Sequence, residues 1–369
     1  MPGGVPHADG QLDSRSIFVQ QFNCNLDFRM DELDLQLQEV DSLEAIVIVD
    51  NELDPMSPPA PDTVQVLGNL GHIAMRNDSN LTDRGGALKE MRMEDICCSA
   101  HGLSILVTAT KGETKHSVLF DAGPEEDVWE RNINRLRPNL SSIEAIQLSH
   151  WHRDHSGGIL RAIKMIKESR TDDLVVDVHP DRPTYRGIAL PETIISLQAD
   201  PTFEEMENSG ARVEKHDEPH TILDDFFLIS GEIPRVTPYE TGLLNAVRYD
   251  PEDNDWFSDE IIADERFLAC NLKGKGLVVF TGCSHAGVVN TAKNAVQLGG
   301  GAPLHCVVGG YHLSMSEPTQ VQSTVSDLKR LDPAVLMPGH CTGWRAKFAI
   351  EKAMPGTMVP CTVGTKIVF

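Results

Sequence analysis

The sequence predicts an α/β fold in which two sheets pack face to face with helices outside. Three observations carry this prediction. Apolar runs of strand length alternate with stretches whose apolar residues recur at helical spacing. A hairpin pattern stands near the start of each half. The chain divides into two similar halves with no short repeat. With 369 residues, 40% of them hydrophobic, there is enough apolar surface for a large core, although length alone does not set the domain count.

Residues 1–40 are polar and acidic and read as an N-terminal extension, with DELDLQLQEVDSLE a candidate amphipathic helix. The main domain is placed at 41–369. Its first strand is AIVIV at 45–49, ending in Asp50 and Asn51. An insertion at about 53–95 follows. Its content of Pro, Gly, Asn and Asp predicts irregular structure, with a helix near 63–75. LSILVTA (103–109) and HSVLFDAG (116–123) flank TKGETK and read as a hairpin. A helix near 127–136 stops before Pro138. The strand IEAIQLSH (143–150) runs into a histidine cluster, and GGILRAIKMIKES starts a helix behind it. In the second half, DLVVDVHP (173–180) and FFLISGEIP (226–234) read as strands. FLACNL (267–272) pairs with GLVVFTGC (276–283) through KGK. A helix near 286–297, the strand HCVVGG (305–310), a helix near 317–331 and AVLMPGH (334–340) complete the order.

Lys and Arg number 32 against 55 Asp and Glu, a formal charge of -23. Such a surface repels phosphate backbones and anionic membranes, so neither nucleic acid nor membrane is expected as a partner, and the charge reads first as solubility. The expected partner is a small-molecule substrate. The eight cysteines, Cys24, Cys97, Cys98, Cys270, Cys283, Cys306, Cys341 and Cys361, form no CxxC pair and read as reduced thiols. MPGGVPHADGQLDSRS has no apolar run of a secretory signal, and no stretch has the length of a membrane span. Together these predict a cytoplasmic protein.

The most informative segment is Ser149-His150-Trp151-His152-Arg153-Asp154-His155-Ser156-Gly157-Gly158. Three histidines and an aspartate fall within six residues at a strand-to-helix transition. In extended backbone His150 and His152 point to one side, because the strand period is two. The turn that follows can bring Asp154 and His155 to an adjacent point. Imidazole and carboxylate donors suit zinc, iron or manganese. The paired glycines are expected to let the backbone pass close to the site. Asp121, at the end of SVLFDAG, is placed to hydrogen-bond a ligand histidine and set its tautomer.

The cluster matches HxHxDH, and here the chain resembles the metallo-β-lactamase superfamily. The resemblance spans about 44–369 and extends to VLFDAG, FTGCSHAG, VVGGYHL and MPGHCTG in that order. It is strongest to the branch of 7,8-dihydropterin-6-yl-methyl-4-(β-D-ribofuranosyl)aminobenzene 5′-phosphate synthases and related hydrolases. IVIVDN and HGLSILV fit that branch. Ala100, where a Glu often precedes HGLS, and the 53–95 insertion depart from it.

What the resemblance implies is a four-layer αβ/βα sandwich with two divalent metal ions, zinc first and manganese or iron as alternatives, at one edge between the sheets. His150 and His152 would serve the first metal, Asp154 and His155 the second. His340 matches the superfamily's last ligand histidine. His285 is expected to take over the duty of a third histidine that otherwise comes from a mid-chain loop. Cys283 stands where many members carry a metal-bridging Asp, and it reads either as a ligand or as a small buried residue. Among the mid-chain histidines, His179 reads as structural, and His216 and His220 as surface residues. His312 and His101 are expected near the substrate, as are Glu232 and Arg235 of GEIPR.

The implied chemistry is hydrolysis of an ester, lactone, thioester or phosphoester by hydroxide generated between two metals. Asp154 would orient the nucleophile or accept its proton, and His312 would donate to the developing anion or leaving group. Two alternatives stay open. One is a mononuclear-iron, sulfur-dioxygenase-like oxidoreductase on the same fold. Flavin-linked di-iron members are disfavoured, because they carry Glu where this chain has His152. The other alternative is a non-catalytic binding protein.

Overall fold

In the computed structural model of the chain, residues 35–76 and 84–369 are described. Leu35–Phe369 forms one unit. One sheet has eight strands in the order Arg212–Lys215, Val175–Val178, Ile143–Gln147, Thr114–Phe120, Ser104–Lys111, Ser42–Val49, Lys366–Val368 and Gln65–Leu67. A second runs His220–Ile222, Phe227–Ile229, Leu268–Leu272, Gly276–Thr281, Leu304–Gly310 and Val335–Gly339, with Glu39–Val40 added in parallel to Leu268–Leu272. A four-stranded sheet, Asp255–Ser258, Ala246–Asp250, Tyr185–Leu190 and Thr193–Ser196, lies in a stretch the sequence reading left without strands.

Three apolar layers bind the two large sheets and their helices. Ile105, Val107, Val118 and Phe120 of the first sheet share a core with Phe227, Leu268, Val278, Phe280 and Val308 of the second. The outer face of the first sheet packs on Trp129, Ile133, Ile159, Ala162, Ile163 and Ile166. The outer face of the second packs on Val288, Val289, Ala292, Val325, Leu328, Ala346 and Ile350. The order is therefore helix, sheet, sheet, helix, the predicted four-layer sandwich. Helix Ile159–Ser169 shows why: its buried residues recur at i, i+3, i+4 and i+7, one stripe along a helix. Burying a side chain of this size contributes roughly 1.5–3 kcal/mol.

Two expectations need correction. The described part of DELDLQLQEVDSLE is extended, with strands Glu39–Val40 and Ser42–Val49, while residues 31–34 lie outside the described residues. Leu43, Ala45 and Val47 are buried and alternate with the more exposed Ser42, Glu44 and Ile46, a strand period that outweighs the good helix propensity of Leu, Glu and Gln. The segment 53–95 is not merely irregular. The helix expected near 63–75 is present as Leu70–Arg76, but the start of that range is instead the strand Gln65–Leu67, paired with the C-terminal strand Lys366–Val368. Residues 77–83 of that segment lie outside the described residues. Among the described residues no helix is long and apolar enough to cross a membrane.

The topology sets the site's place. Strands Ser42–Val49, Thr114–Phe120, Ile143–Gln147, Gly276–Thr281, Leu304–Gly310 and Val335–Gly339 all end at the same edge of the sandwich. The residues just past their C-terminal ends are Asp50 and Asn51, Asp121, His150, Cys283 and His285, His312, and His340.

Candidate metal centre

The loop Ser149–His155 is held from both sides before any ligand is considered. The Trp151 backbone N–H donates to Asp264 at 2.7 Å, and Arg186 donates to the Trp151 carbonyl at 2.7 Å while pairing with Asp264. Arg266, fully buried, donates to the Leu148 carbonyl and to Asp177, and its backbone N–H donates to the Ser149 carbonyl. Buried charges so paired and hydrogen-bonded hold a loop in one register, because breaking one pair strands its partner without water. Gly157 and Gly158 are pressed on the neighbouring loop rather than on the site. A Cβ there would stand 1.8 Å from the Pro124 carbonyl oxygen and 2.2 Å from that of Ala122.

Two groups of donors result. His150 Nε2 lies 2.9 Å from His152 Nδ1, which lies 3.2 Å from His285 Nε2. Beside them, Asp154 Oδ2 lies 3.2 Å from His340 Nε2 and 3.7 Å from His155 Nε2. Cys283 Sγ is 3.2 Å from both His155 Nε2 and His340 Nε2. His150, Cys283 and His285 form one ligand-like group, and Asp154, His155, Cys283 and His340 form another.

The outward-facing nitrogens decide the tautomers. Asp121 accepts the Ser149 backbone N–H at 2.7 Å through Oδ1, and through Oδ2 it accepts the Ser149 hydroxyl at 2.8 Å and His155 Nδ1–H at 2.6 Å. The Ser149 oxygen then accepts from His150 Nδ1–H at 2.9 Å. Asn51 Oδ1 accepts the Gly102 backbone N–H at 3.1 Å and His340 Nδ1–H at 2.9 Å. In each case an Nδ1 proton sits outside, and Nε2 faces the centre.

Burial lowers the pKa of His150 and His285 well below the usual imidazole range. Burial, with the Arg186 charge, brings His152 to about 3. Burial takes His340 to about 4 against the pull of Asp154. These imidazoles are therefore neutral, the form that ligates metal. At His155 burial also works against charge, but Asp154 and Asp121 outweigh it and raise the pKa to about 9. Burial disfavours the Asp154 carboxylate, yet His155 and His340 hold it well below the usual range. The second group is thus a field that favours positive charge.

A divalent cation fits this donor set. His150 Nε2, whose ring proton is tied outward on Nδ1, and His285 Nε2 both face His152 Nδ1, at 2.9 and 3.2 Å, and a single proton on that nitrogen cannot serve both contacts as a cation can. Imidazole, carboxylate and thiol donors match borderline metals such as zinc.

The structure places the other predicted residues at graded distances. The His312 ring lies 4.4 Å from the His285 ring, half-buried at the edge of the first group, and burial lowers its pKa. His101 is exposed. It accepts from Asn51 Nδ2 at 3.0 Å, so its proton sits on Nε2, 3.4 Å from Asp154 Oδ2. Glu232 is exposed, with its backbone N–H on the Asp217 carbonyl, and Arg235 donates to the Ile261 carbonyl. Among the described residues no hydrogen bond or ion pair joins Glu232 or Arg235 to the donor groups. His179 carries its carbonyl to Trp151 Nε1 at 3.0 Å. His216 and His220 are not free surface side chains: both bond the buried Asp177.

The sequence reading expected the support at Asp121, which bonds His155, and missed the others. Asn51 joins His340 to His101. Asp50, pushed up to about 7 by burial, accepts the His340 backbone N–H at 3.0 Å. Glu265 accepts the backbone N–H groups of His285 and Ala286 at 2.8 and 2.6 Å. The one available signal was the charged triplet Asp264-Glu265-Arg266 abutting the apolar FLACNL, since charges beside a buried strand have to be paired.

No family model matches the chain. It is 29% identical over 250 residues to the 7,8-dihydropterin-6-methyl-4-(β-D-ribofuranosyl)-aminobenzene-5′-phosphate synthase of Methanocaldococcus jannaschii, covering 68% of this chain and 83% of that protein. An uncharacterized protein of the same organism is 29% identical over 248 residues, covering 67% of this chain and 85% of that one. The solved structure of a metal-dependent hydrolase of the β-lactamase superfamily superposes with a TM-score of 0.61 at 21% identity, over 88% of this chain and 98% of that chain. The chain has the metallo-β-lactamase fold.

Proposed function

We propose that this chain, with its metallo-β-lactamase fold, is a metal-dependent hydrolase of a small-molecule ester, lactone, thioester or phosphoester. The observation that carries the reading is the direction of the donors. The Nδ1 protons of His150, His155 and His340 are tied outward to Ser149, Asp121 and Asn51, so three Nε2 atoms converge inward beside His152, His285 and Asp154.

His150, His152 and His285 would hold one cation, and Asp154, His155 and His340 a second. Two such ions, when bound, lower the pKa of a shared water and polarise the bond to be cleaved. The chain's own residues do the rest. Asp154 Oδ2, already within reach of His101 and His340, orients the nucleophile and takes its proton. His312, at the edge of the first group, stands where it can donate to the leaving group. His101 presents Nε2–H beside Asp154 from the solvent side and can pass a proton outward. Asp121 and Asn51 keep the ligand rings from rotating.

Elemental analysis of protein purified without added metal tests this. The expected result is about two equivalents of zinc or manganese per chain, lost in His150→Ala/His152→Ala, followed by turnover in a panel of esters, lactones, thioesters and phosphoesters. One equivalent of iron with oxygen consumption would move the oxygen-chemistry alternative ahead. Full metal retention in the double variant would end the reading. The synthase named for the Methanocaldococcus relative enters the same panel through formation of its named product.

A further inference from the structure

We infer that Cys283 is a bridging ligand, a thiolate shared by the two cations in the place of a carboxylate. The inference rests on reading the cluster as a two-metal centre and adds the atom that joins its two halves.

The backbone delivers the sulfur there and leaves it little choice. After strand Gly276–Thr281, Gly282 runs so close to the histidine loop that a Cβ on it would stand 2.3 Å from Ser149 Oγ and 3.2 Å from His150 Nδ1. Ser284 adopts a left-handed φ of 63° and donates its hydroxyl to the Gly310 carbonyl at 2.7 Å. Glu265 clamps the next two N–H groups. This turn directs Cys283 and His285 to the centre. Cys283 belongs to both ligand-like groups, the one with His150 and His285 and the one with Asp154, His155 and His340. No other described residue does.

The bland alternative is a small thiol filling a gap. Its place argues against it. Asp121 takes the His155 Nδ1 proton and Asn51 the His340 Nδ1 proton, which turns both Nε2 atoms onto one sulfur at 3.2 Å each. The same sulfur is grouped with His150 and His285, so it stands where the two donor groups meet rather than in an apolar gap. A thiolate there would meet both cations, and each imidazole would bind a cation instead of the sulfur. The step balances: each Cys283 thiol that ligates releases one proton to solvent, and its sulfur forms bonds to both ions with no change of oxidation state. A thiolate bridge favours zinc or cobalt over manganese, which prefers oxygen donors.

Cobalt titration of the metal-free full-length chain tests this, with binding counted by equilibrium dialysis and thiolate-to-cobalt charge transfer followed in the near ultraviolet. Two cobalt ions should bind, and the charge-transfer band should rise through the second equivalent. Cys341→Ser, whose own sulfur lies 3.4 Å from the Cys283 carbonyl oxygen, should keep the band. Cys283→Ser and Cys283→Asp should lose it, with Cys283→Asp still binding two ions through its carboxylate. Two bound ions without a band, a band that persists in Cys283→Ser, or one that saturates at the first equivalent would overturn the bridge while leaving the two-metal centre standing. Failure of the wild-type chain to bind cobalt at all would overturn the two-metal reading and the bridge together.

Discussion

Among the described residues, the strand-end centre and the cluster at Asp177 both bring histidine and aspartate together, and they are built in opposite senses. At the strand-end centre, outer nitrogens are tied to Asp121, Asn51 and Ser149, and inner nitrogens are left facing one another. At Asp177 the same residue types point at each other. His216 Nδ1 and His220 Nε2 both bond Asp177 Oδ2, at 2.7 and 2.9 Å, while Arg266 takes Oδ1 at 2.6 Å. His220 Nδ1 also faces the Glu218 carbonyl at 3.0 Å. Both imidazoles there have a carboxylate acceptor, and a buried guanidinium already supplies the positive charge. A list of ligand-type residues within reach of one another does not make a metal site; the direction of their lone pairs and the charge already present decide it.

The largest effect that would sharpen this contrast is at Asp177. Replacing it with Asn leaves Arg266 buried without its counter-charge, at a cost of about 3–5 kcal/mol. Urea unfolding should show that loss at pH 7. The pH dependence has a definite sign. Burial opposes the Asp177 charge, but His220 and Arg266 outweigh it and lower the pKa to about 2. A carboxylate depressed in the folded state contributes stability above its unfolded pKa of about 4 and loses it as pH falls toward 2. The gap between wild type and Asp177→Asn should therefore narrow when the comparison is repeated at pH 3. An unfolding midpoint unchanged from wild type at pH 7 would break the contrast.

Next in size is Asp121→Asn. It should weaken metal binding by about 10–100-fold in chelator competition, because His155 loses the carboxylate that fixes its tautomer. Unchanged affinity would mean that the inward nitrogens do not depend on the outer acceptors. The smallest effect belongs to His216→Ala/His220→Ala, which should cost about 1–3 kcal/mol of stability by the same unfolding assay. Its metal stoichiometry should equal wild type. A lower count would place a third ion at Asp177.

Much of this was legible from the chain. His150, His152, Asp154 and His155 announce themselves because their spacing is short and local, and backbone periodicity alone puts two of them on one side. The strands that carry Asp121, Cys283, His312 and His340 are also readable, as runs of Val, Ile, Leu and Phe. The other supports were not. Asn51 and His340 are 289 positions apart, and Trp151 and Asp264 are 113 apart. A hydrogen bond between such residues leaves no periodic trace in the sequence. The strands at 185–190, 193–196, 246–250 and 255–258 were missed for a related reason: they carry many exposed or half-exposed residues, so the hydrophobic alternation is weak.

What the sequence determined by itself was local: the alternation of apolar runs, the HxHxDH turn, and the glycines that allow close backbone approach. These follow from the dihedral and burial preferences of neighbours along the chain. Which nitrogen of each histidine carries its proton, and that one cysteine sulfur meets both donor groups, was decided only by the tertiary structure. Six strands from distant parts of the chain must end at one edge before Asp121, Asn51 and Glu265 can hold the loops between them, and packing between the two sheets is what brings those ends together.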